Sequence, residues 1–207
     1  GVGLAAALAA HDRRGLAQVG RAKGAPGSDV GHKREASSGR YVGAPDWVGG
    51  SPGKLAHLRE KLKRLAVEGE VGRFWYENSS REILDFVGGN KADAEKFVSL
   101  IAIYSPNNAV SGNTTAALLA WYQHKAGVPI RVAMKVADSK ANDLMYRDKV
   151  WSGVKTNSFY QNLMVEIDPS KLDDGVATMD MWMAIAFDYG DKSVDQGPKY
   201  RFMEREI

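Results

Sequence analysis

The spacing of apolar and polar positions is helical over most of the chain after residue 53. The segment "KLAHLREKLKRLAVEG" places Leu55, Leu58, Leu62 and Leu65 on one stripe, with Lys and Arg on the opposite side. Further helical segments follow, and turns containing Gly, Pro or Asn separate them. The segment "GVPIRVAMKV" is the one candidate strand or extended connection. The pattern predicts an all-α fold, a compact domain of several helices joined by short turns.

Capping residues predict where some of these helices begin and end. Ser79 or Ser80 is expected to cap a helix that stops at Gly88. Asn90 is expected to cap the next helix, which the sequence "SPN" then breaks. A later helix is expected to start near Ser139.

Residues 1–53 differ in composition from the rest of the chain. They hold 12 of the 22 glycines, with 7 Lys/Arg against 4 Asp/Glu, and show little periodic hydrophobicity. Such a segment is not expected to build a core of its own. We therefore predict a flexible, Gly-rich basic arm or linker at 1–53 and a helical domain at 54–207. The arm is expected to be dispensable for the fold and able to dock on a partner.

Composition excludes several classes of site. The chain has no cysteine, which rules out disulfides, iron–sulfur clusters and cysteine-ligated zinc. Its four histidines show no metal-ligand spacing, so neither a metal nor a cofactor is expected. No apolar run approaches the length of a membrane span, so no membrane contact is expected. We expect a cytoplasmic location, in the host cell or the virion if the chain is encoded by a phage.

The segment "NDLMYRDKVWSGVKTNSFYQNL" predicts two helices joined by a turn at Gly153. Glycine permits the positive φ of a sharp turn, and the N–H groups that open the second helix can bind a phosphate. Lys155 lies in the first turn of that helix, and Asp180 heads the apolar helix "DMWMAIAF". Taken singly, Ser-Gly turns mostly bind nothing, such a lysine is most often solvated, and such an aspartate most often only caps its helix.

Three segments in order carry a more specific pattern: "LIAIYSPNN", "SGVKTNSFYQNL" and "VATMDMWMAIAF". The chain resembles the helix-hairpin-helix DNA glycosylases, the superfamily of endonuclease III and the 8-oxoguanine DNA glycosylases, over about residues 70–190. It is also similar to glycosylase-like proteins of bacteriophages. The resemblance implies a double-stranded DNA partner, a flipped base and cleavage of its bond to the sugar, with or without lyase activity at the abasic site.

The resemblance also implies roles for individual residues. Lys155 would be the amine nucleophile and Asp180 the carboxylate that stabilises charge on the sugar. The amine must be neutral to attack, which requires burial or a nearby helix N-terminus. The residues expected to contact DNA are Ser152, Gly153, Val154, Asn107 and Asn108, and those expected in the base pocket are Tyr104 and Trp151.

Two alternatives belong to other classes. The chain could be a non-catalytic DNA-binding or structural module of a larger phage virion protein. The arm at 1–53 and a first residue, Gly1, that is not Met favour that interpretation. The second alternative is a lytic transglycosylase with Glu77 or Glu82 as its acid. Only a helical core and a spare glutamate support it.

Overall fold

The computed structural model describes residues 39–207 apart from residues 73, 107, 150–152, 174–177, 180 and 191–196. Its helices in chain order are α1 Pro52–Glu68, α2 Trp75–Phe86, α3 Lys91–Tyr104, α4 Val110–Lys125, α5 Lys135–Arg147, α6 Val154–Leu163, α7 Met181–Ala186 and α8 Pro198–Glu206. Short 3₁₀ turns occur at Glu70–Gly72 and Pro169–Lys171. No β-strand occurs within these ranges, which confirms the expected all-α class for the part described.

Some helix ends follow the sequence signals. The Asn90 side chain caps α3 by accepting hydrogen bonds from the N–H groups of Ala92 and Asp93. Gly88 follows the end of α2 with a φ of 69°, a left-handed conformation that glycine adopts without strain. Both expectations for these ends are confirmed.

Two other helix starts were predicted wrongly. Ser79 and Ser80 lie in the middle of α2, and both are buried. The helix starts earlier, at Trp75, whose ring packs with that of Phe159. Helix α5 begins at Lys135 rather than near Ser139.

The described residues fall into two compact units. In the first, Trp75–Leu172, the central element is α3, and α2, α4, α5 and α6 all pack on it. Every side chain of α3 from Phe97 to Tyr104 is buried. The segment expected as a strand lies between α4 and α5 in this unit and forms no strand.

The second unit combines residues 39–74 with residues 173–207. Its buried apolar side chains include Val48, Leu55 and Leu58 from the first segment and Phe187, Phe202 and Met203 from the second. Two residues before α1 are tied to the C-terminal segment: Trp47 Nε1–H donates to the carbonyl of Phe187 at 3.2 Å, and Tyr189 O–H donates to the carbonyl of Gly43.

Part of the predicted arm therefore packs in a unit with the helical region. Val48 is 1% exposed and Pro45 is buried, so residues 39–53 supply part of this unit's core. The boundary between the two units lies between Phe74 and Trp75 rather than near residue 53. Residues 1–38 lie outside the described residues, and for them the arm stays a prediction.

Candidate nucleic-acid interface

Gly153 is the N-cap of α6 and has the conformation that the sequence predicted. Its φ of 138° and ψ of 124° lie in a region that L side chains rarely adopt, so this position requires glycine. Because glycine has no side chain, it offers no acceptor to the N–H groups of the first helical turn. Helix α6 then opens at Val154. Ser152 and Trp151, predicted as a phosphate contact and a base-pocket residue, lie outside the described residues.

Gly153 lies at the end of the connection between α5 and α6. Helices α5 and α6 each pack on α3, and α6 also packs on α2. Within the described residues, both helices pack mainly on other helices and not on each other. Residues 148–153 between them, the α5–α6 connection, begin with Asp148 in a left-handed conformation with a φ of 49°.

Lys155 lies in the first turn of α6 and is partly buried. It forms no hydrogen bond or ion pair with the residues that the structure describes. One turn later, Phe159 is buried between two aromatic rings: it stacks on Trp75 at 6.3 Å and meets Tyr76 edge-on at 6.2 Å. The lysine stem therefore starts beside a buried aromatic layer, and its amine has no partner there.

The predicted partner of Lys155 lies outside the described residues. Helix α7 begins at Met181. Asp180 itself is not described, and its pairing with Lys155 stays a prediction. Asn107, expected to fill the gap left by a flipped base, also lies outside the described residues.

Asn108 lies in the turn between α3 and α4, and its side chain is used locally. Its Nδ2 donates to the carbonyl of Tyr104 at 3.5 Å. Its Oδ1 lies so close to Gly112 that a Cβ added there would be 2.3 Å away. A larger residue at position 112 would therefore require the Asn108 side chain to move.

Tyr104, predicted to line a base pocket, belongs to the core instead. The residue is fully buried, and its hydroxyl donates to Asp138 Oδ1 at 2.8 Å. Burial, together with this bond to a carboxylate, raises the pKa of Tyr104 far above its usual value. A fully buried ring offers no surface to a base, so this expectation is corrected.

Asp138 connects the core to a segment whose importance the sequence did not indicate. Its Oδ2 accepts from the N–H groups of Val132 at 3.0 Å and Met134 at 3.2 Å. Both donors lie in residues 126–134, the α4–α5 connection. By bonding Met134, which is the N-cap residue, Asp138 closes the first turn of α5 and explains the helix start at Lys135.

Two amide side chains bond the same connection in a reciprocal way. Asn142 accepts from Ile130 N–H at 3.0 Å and donates to the Ile130 carbonyl at 2.8 Å. Gln123 accepts from Arg131 N–H at 2.8 Å and donates to the Arg131 carbonyl at 3.2 Å. The segment expected as a strand thus has its backbone bonded by side chains instead of a neighbouring strand. The sequence does contain one signal of this arrangement: the polar residues Asp138 and Asn142 lie next to the apolar stripe of α5.

Glu77, considered as an acid in the transglycosylase alternative, is 8% exposed in the first turn of α2. It forms no hydrogen bond or ion pair with the residues that the structure describes. A carboxylate in the first turn of a helix is favoured by the positive end of the helix. Glu82, the other candidate acid, is only partly buried.

Histidine and carboxylate side chains do not form a metal site in the described ranges. His124 packs against the rings of Trp121 and Tyr146. Burial, followed by repulsion from Lys96 and Lys125, lowers the pKa of His124. None of the described helices is long and apolar enough to cross a bilayer.

Comparison with known protein families, with curated proteins and with solved structures gives no match.

Proposed function

We propose that this protein is a DNA-binding enzyme that excises a base from DNA, with Lys155 as its amine nucleophile. One observation carries the proposal: a helix capped by Gly153 begins with a partly buried lysine whose amine has no partner among the described residues. Phosphate is a natural ligand for the N–H groups at such a helix start. The resemblance to helix-hairpin-helix glycosylases supports the same assignment.

The local charge suits a polyanionic partner. From residue 131 to residue 157 the sequence holds six Lys/Arg and three Asp. One of those carboxylates, Asp138, bonds the hydroxyl of Tyr104 and two backbone N–H groups. The segment on both sides of the α5–α6 connection therefore carries excess positive charge, which favours contact with a phosphate backbone.

The proposed chemistry uses two residues. The neutral amine of Lys155 attacks C1′ of the sugar while the bond to the base breaks, and the base leaves with the bonding electron pair and takes up a proton. Asp180 stabilises the positive charge that develops on the sugar. Loss of the amine proton and opening of the sugar ring give a Schiff base, from which elimination releases the 3′ phosphate.

Borohydride trapping on a duplex with an abasic site tests this proposal. A Schiff base is reducible to a stable adduct, so the wild type should form a covalent protein–DNA complex and Lys155→Ala should form none. Lys149→Ala is the matched control, because Lys149 is an exposed lysine of the same connection paired with Asp143. It should keep trapping. Asp180→Asn should slow base release with little effect on DNA binding.

The second candidate is a non-catalytic DNA-binding or structural module of a larger phage assembly. The same positively charged segment supports it, since binding needs no nucleophile. A wild type that binds DNA but neither releases a base nor traps would favour this candidate. Release of a base without trapping would keep the glycosylase and remove Lys155 from its mechanism.

A further inference from the structure

Three cations on the α4–α5 connection and α5 differ from five other basic residues of the first unit, which are held in ion pairs. Arg131, Lys135 and Lys140 are exposed and form no ion pair with the residues that the structure describes. Other cations of this unit have carboxylate partners: Arg81 pairs with Glu166, Lys125 with Asp93, Arg147 and Lys149 with Asp143, and Lys171 with Glu95.

The carboxylate nearest in sequence to these three cations is directed elsewhere. Asp138 lies between Lys135 and Lys140 on α5, yet its oxygens accept from Tyr104, Val132 and Met134. It neutralises no lysine by direct contact. All three exposed cations therefore lack a contacting carboxylate in the described residues, which leaves their charge available to phosphates.

The backbone that carries Arg131 is fixed before any ligand arrives. The Gln123 side chain bonds both its N–H and its carbonyl, and Asn142 does the same for the neighbouring Ile130. A preorganised segment loses less conformational freedom on binding than a loose loop. This distinguishes Arg131 from a cation on an unrestrained loop.

The same connection holds a strained residue. Ala133 has a φ of 69°, an unfavourable conformation for a residue with a Cβ. Its two neighbours, Val132 and Met134, both donate their N–H groups to Asp138 Oδ2. A strained backbone conformation persists only where surrounding hydrogen bonds hold it in place. Residues of this kind are found most often at binding sites.

We propose that Arg131, Lys135 and Lys140 form a second phosphate-contacting surface for the same DNA that meets the α5–α6 connection, and this inference rests on the proposed function. Helix α5 has 13 residues and therefore spans about 20 Å between the two connections. That length corresponds to roughly six base pairs of duplex. A duplex lying along α5 meets Arg131 at one end and the Gly153 turn at the other.

The test measures the salt dependence of DNA binding. Fluorescence anisotropy of a labelled duplex of roughly 20 base pairs, carrying a tetrahydrofuran abasic analogue, is followed from about 50 to about 300 mM KCl. The variant is Arg131→Gln/Lys135→Gln/Lys140→Gln. The control, Arg81→Gln/Lys125→Gln/Lys171→Gln, removes the same charge from paired cations. Circular dichroism checks that both variants keep their helix content.

Each lost phosphate contact lowers the slope of log affinity against log salt by about 0.9, so the triple variant should lose about 2.7 in slope and the control much less. If the wild type binds and both variants behave alike, this inference is overturned and the proposed function is untouched. A second outcome is possible: only the test variant has a lower salt slope, and the wild type forms no borohydride adduct on abasic DNA. That outcome would support the phosphate-contacting surface and contradict the catalytic proposal. A wild type that does not bind the duplex overturns both.

Discussion

The two units differ in how far apart along the chain their contacts lie. Residues Trp75–Leu172 form one continuous stretch, in which neighbouring helices pack around α3. The other unit combines residues 39–74 with residues 173–207, and the bonds that join these two segments link residues more than a hundred positions apart. Each such contact has to offset the entropy of closing a long loop. We therefore expect the continuous unit to order first and the discontinuous unit to depend on a few long-range bonds.

Two kinds of polar contact, one from each unit, can also be compared. In the continuous unit, Gln123, Asp138 and Asn142 bond backbone groups 4 to 12 residues away. In the discontinuous unit, ion pairs join α1 to the C-terminal segment: Arg59 to Glu206, and Lys61 to Asp188. Damage to the first kind of bond should loosen one connection, whereas damage to the second kind should separate two chain segments.

The largest expected effect is that of removing residues 1–53. A chain starting at Lys54 loses buried Val48, the bond from Trp47 to Phe187 and the Ser51 cap of α1. Together these losses should destabilise the discontinuous unit by about 4 kcal/mol. Urea unfolding followed by circular dichroism measures the loss.

A chain starting at Gly39 is the matched control, because it keeps every one of these contacts. It should unfold within about 0.5 kcal/mol of the full chain if residues 1–38 are the dispensable arm that the sequence predicts. The side chain of Tyr189 provides a spectroscopic readout that distinguishes the two shortened chains. Burial, and then the charge of Glu206, raises the pKa of Tyr189, whose hydroxyl bonds Gly43. Starting at Lys54 should lower that pKa in an ultraviolet titration. An unchanged melt and titration would contradict the packing of residues 39–53.

The next effect concerns the continuous unit. Asp138→Ala removes the acceptor of the buried Tyr104 hydroxyl and of the Val132 and Met134 N–H groups. Leaving such donors unpaired should cost about 3 kcal/mol. Asp143→Ala, which breaks only surface ion pairs of the same helix, should cost about 0.5 kcal/mol.

A double-mutant cycle with Tyr104→Phe separates the contributions. That substitution alone should cost about 1 kcal/mol, since Asp138 keeps its two backbone donors. In the Tyr104→Phe background the penalty for Asp138→Ala should fall, because no orphaned hydroxyl remains. Equal penalties in both backgrounds would show that the Tyr104 bond adds no stability.

Much of the continuous unit could be predicted from the sequence, because its signals are local. Asn90 capped a helix as expected, and Gly153 has the positive φ that a turn requires. The missed start of α5 depends on Asp138 reaching back to Met134, a contact in which hydrophobic periodicity plays no part. Reciprocal amide bonds such as that of Asn142 to Ile130 are equally invisible to periodicity.

The discontinuous unit was harder to predict for a physical reason. The glycines around Trp47 and Val48 are typical of a linker, and nothing nearby indicates that Phe187, 140 residues beyond Trp47, provides their partner. Helix α8 was missed, although Pro198 opens it and Tyr200 and Met203 lie one turn apart on its buried side. For the candidate site, the backbone of Gly153 could be predicted, while the pairing of Lys155 with Asp180 stays a prediction.

The smallest effects come from two ion pairs of equal length, one in each unit. Arg59 Nε lies 2.8 Å from Glu206, and Arg81 Nη2 lies 2.8 Å from Glu166. The Glu206 side chain is 2% exposed and is held by two Arg59 bonds, whereas Glu166 is 35% exposed. Arg59→Ala deprives a buried carboxylate of this cation. It should cost about 2 kcal/mol, less than for a fully buried pair because Arg59 itself is partly exposed.

Arg81→Ala should cost about 0.5 kcal/mol or less, because water solvates the exposed Glu166 once its partner is gone. The measurement is urea unfolding of both variants at about 0.1 M and about 1 M NaCl, where screening lengths differ about threefold. High salt should erase the Arg81 effect and leave most of the Arg59 effect, since a buried pair is screened less. Equal penalties with equal salt sensitivity would mean that the buried Arg59–Glu206 pair is no more important than the exposed Arg81–Glu166 pair. That result would contradict the expectation that the discontinuous unit depends on the Arg59–Glu206 pair.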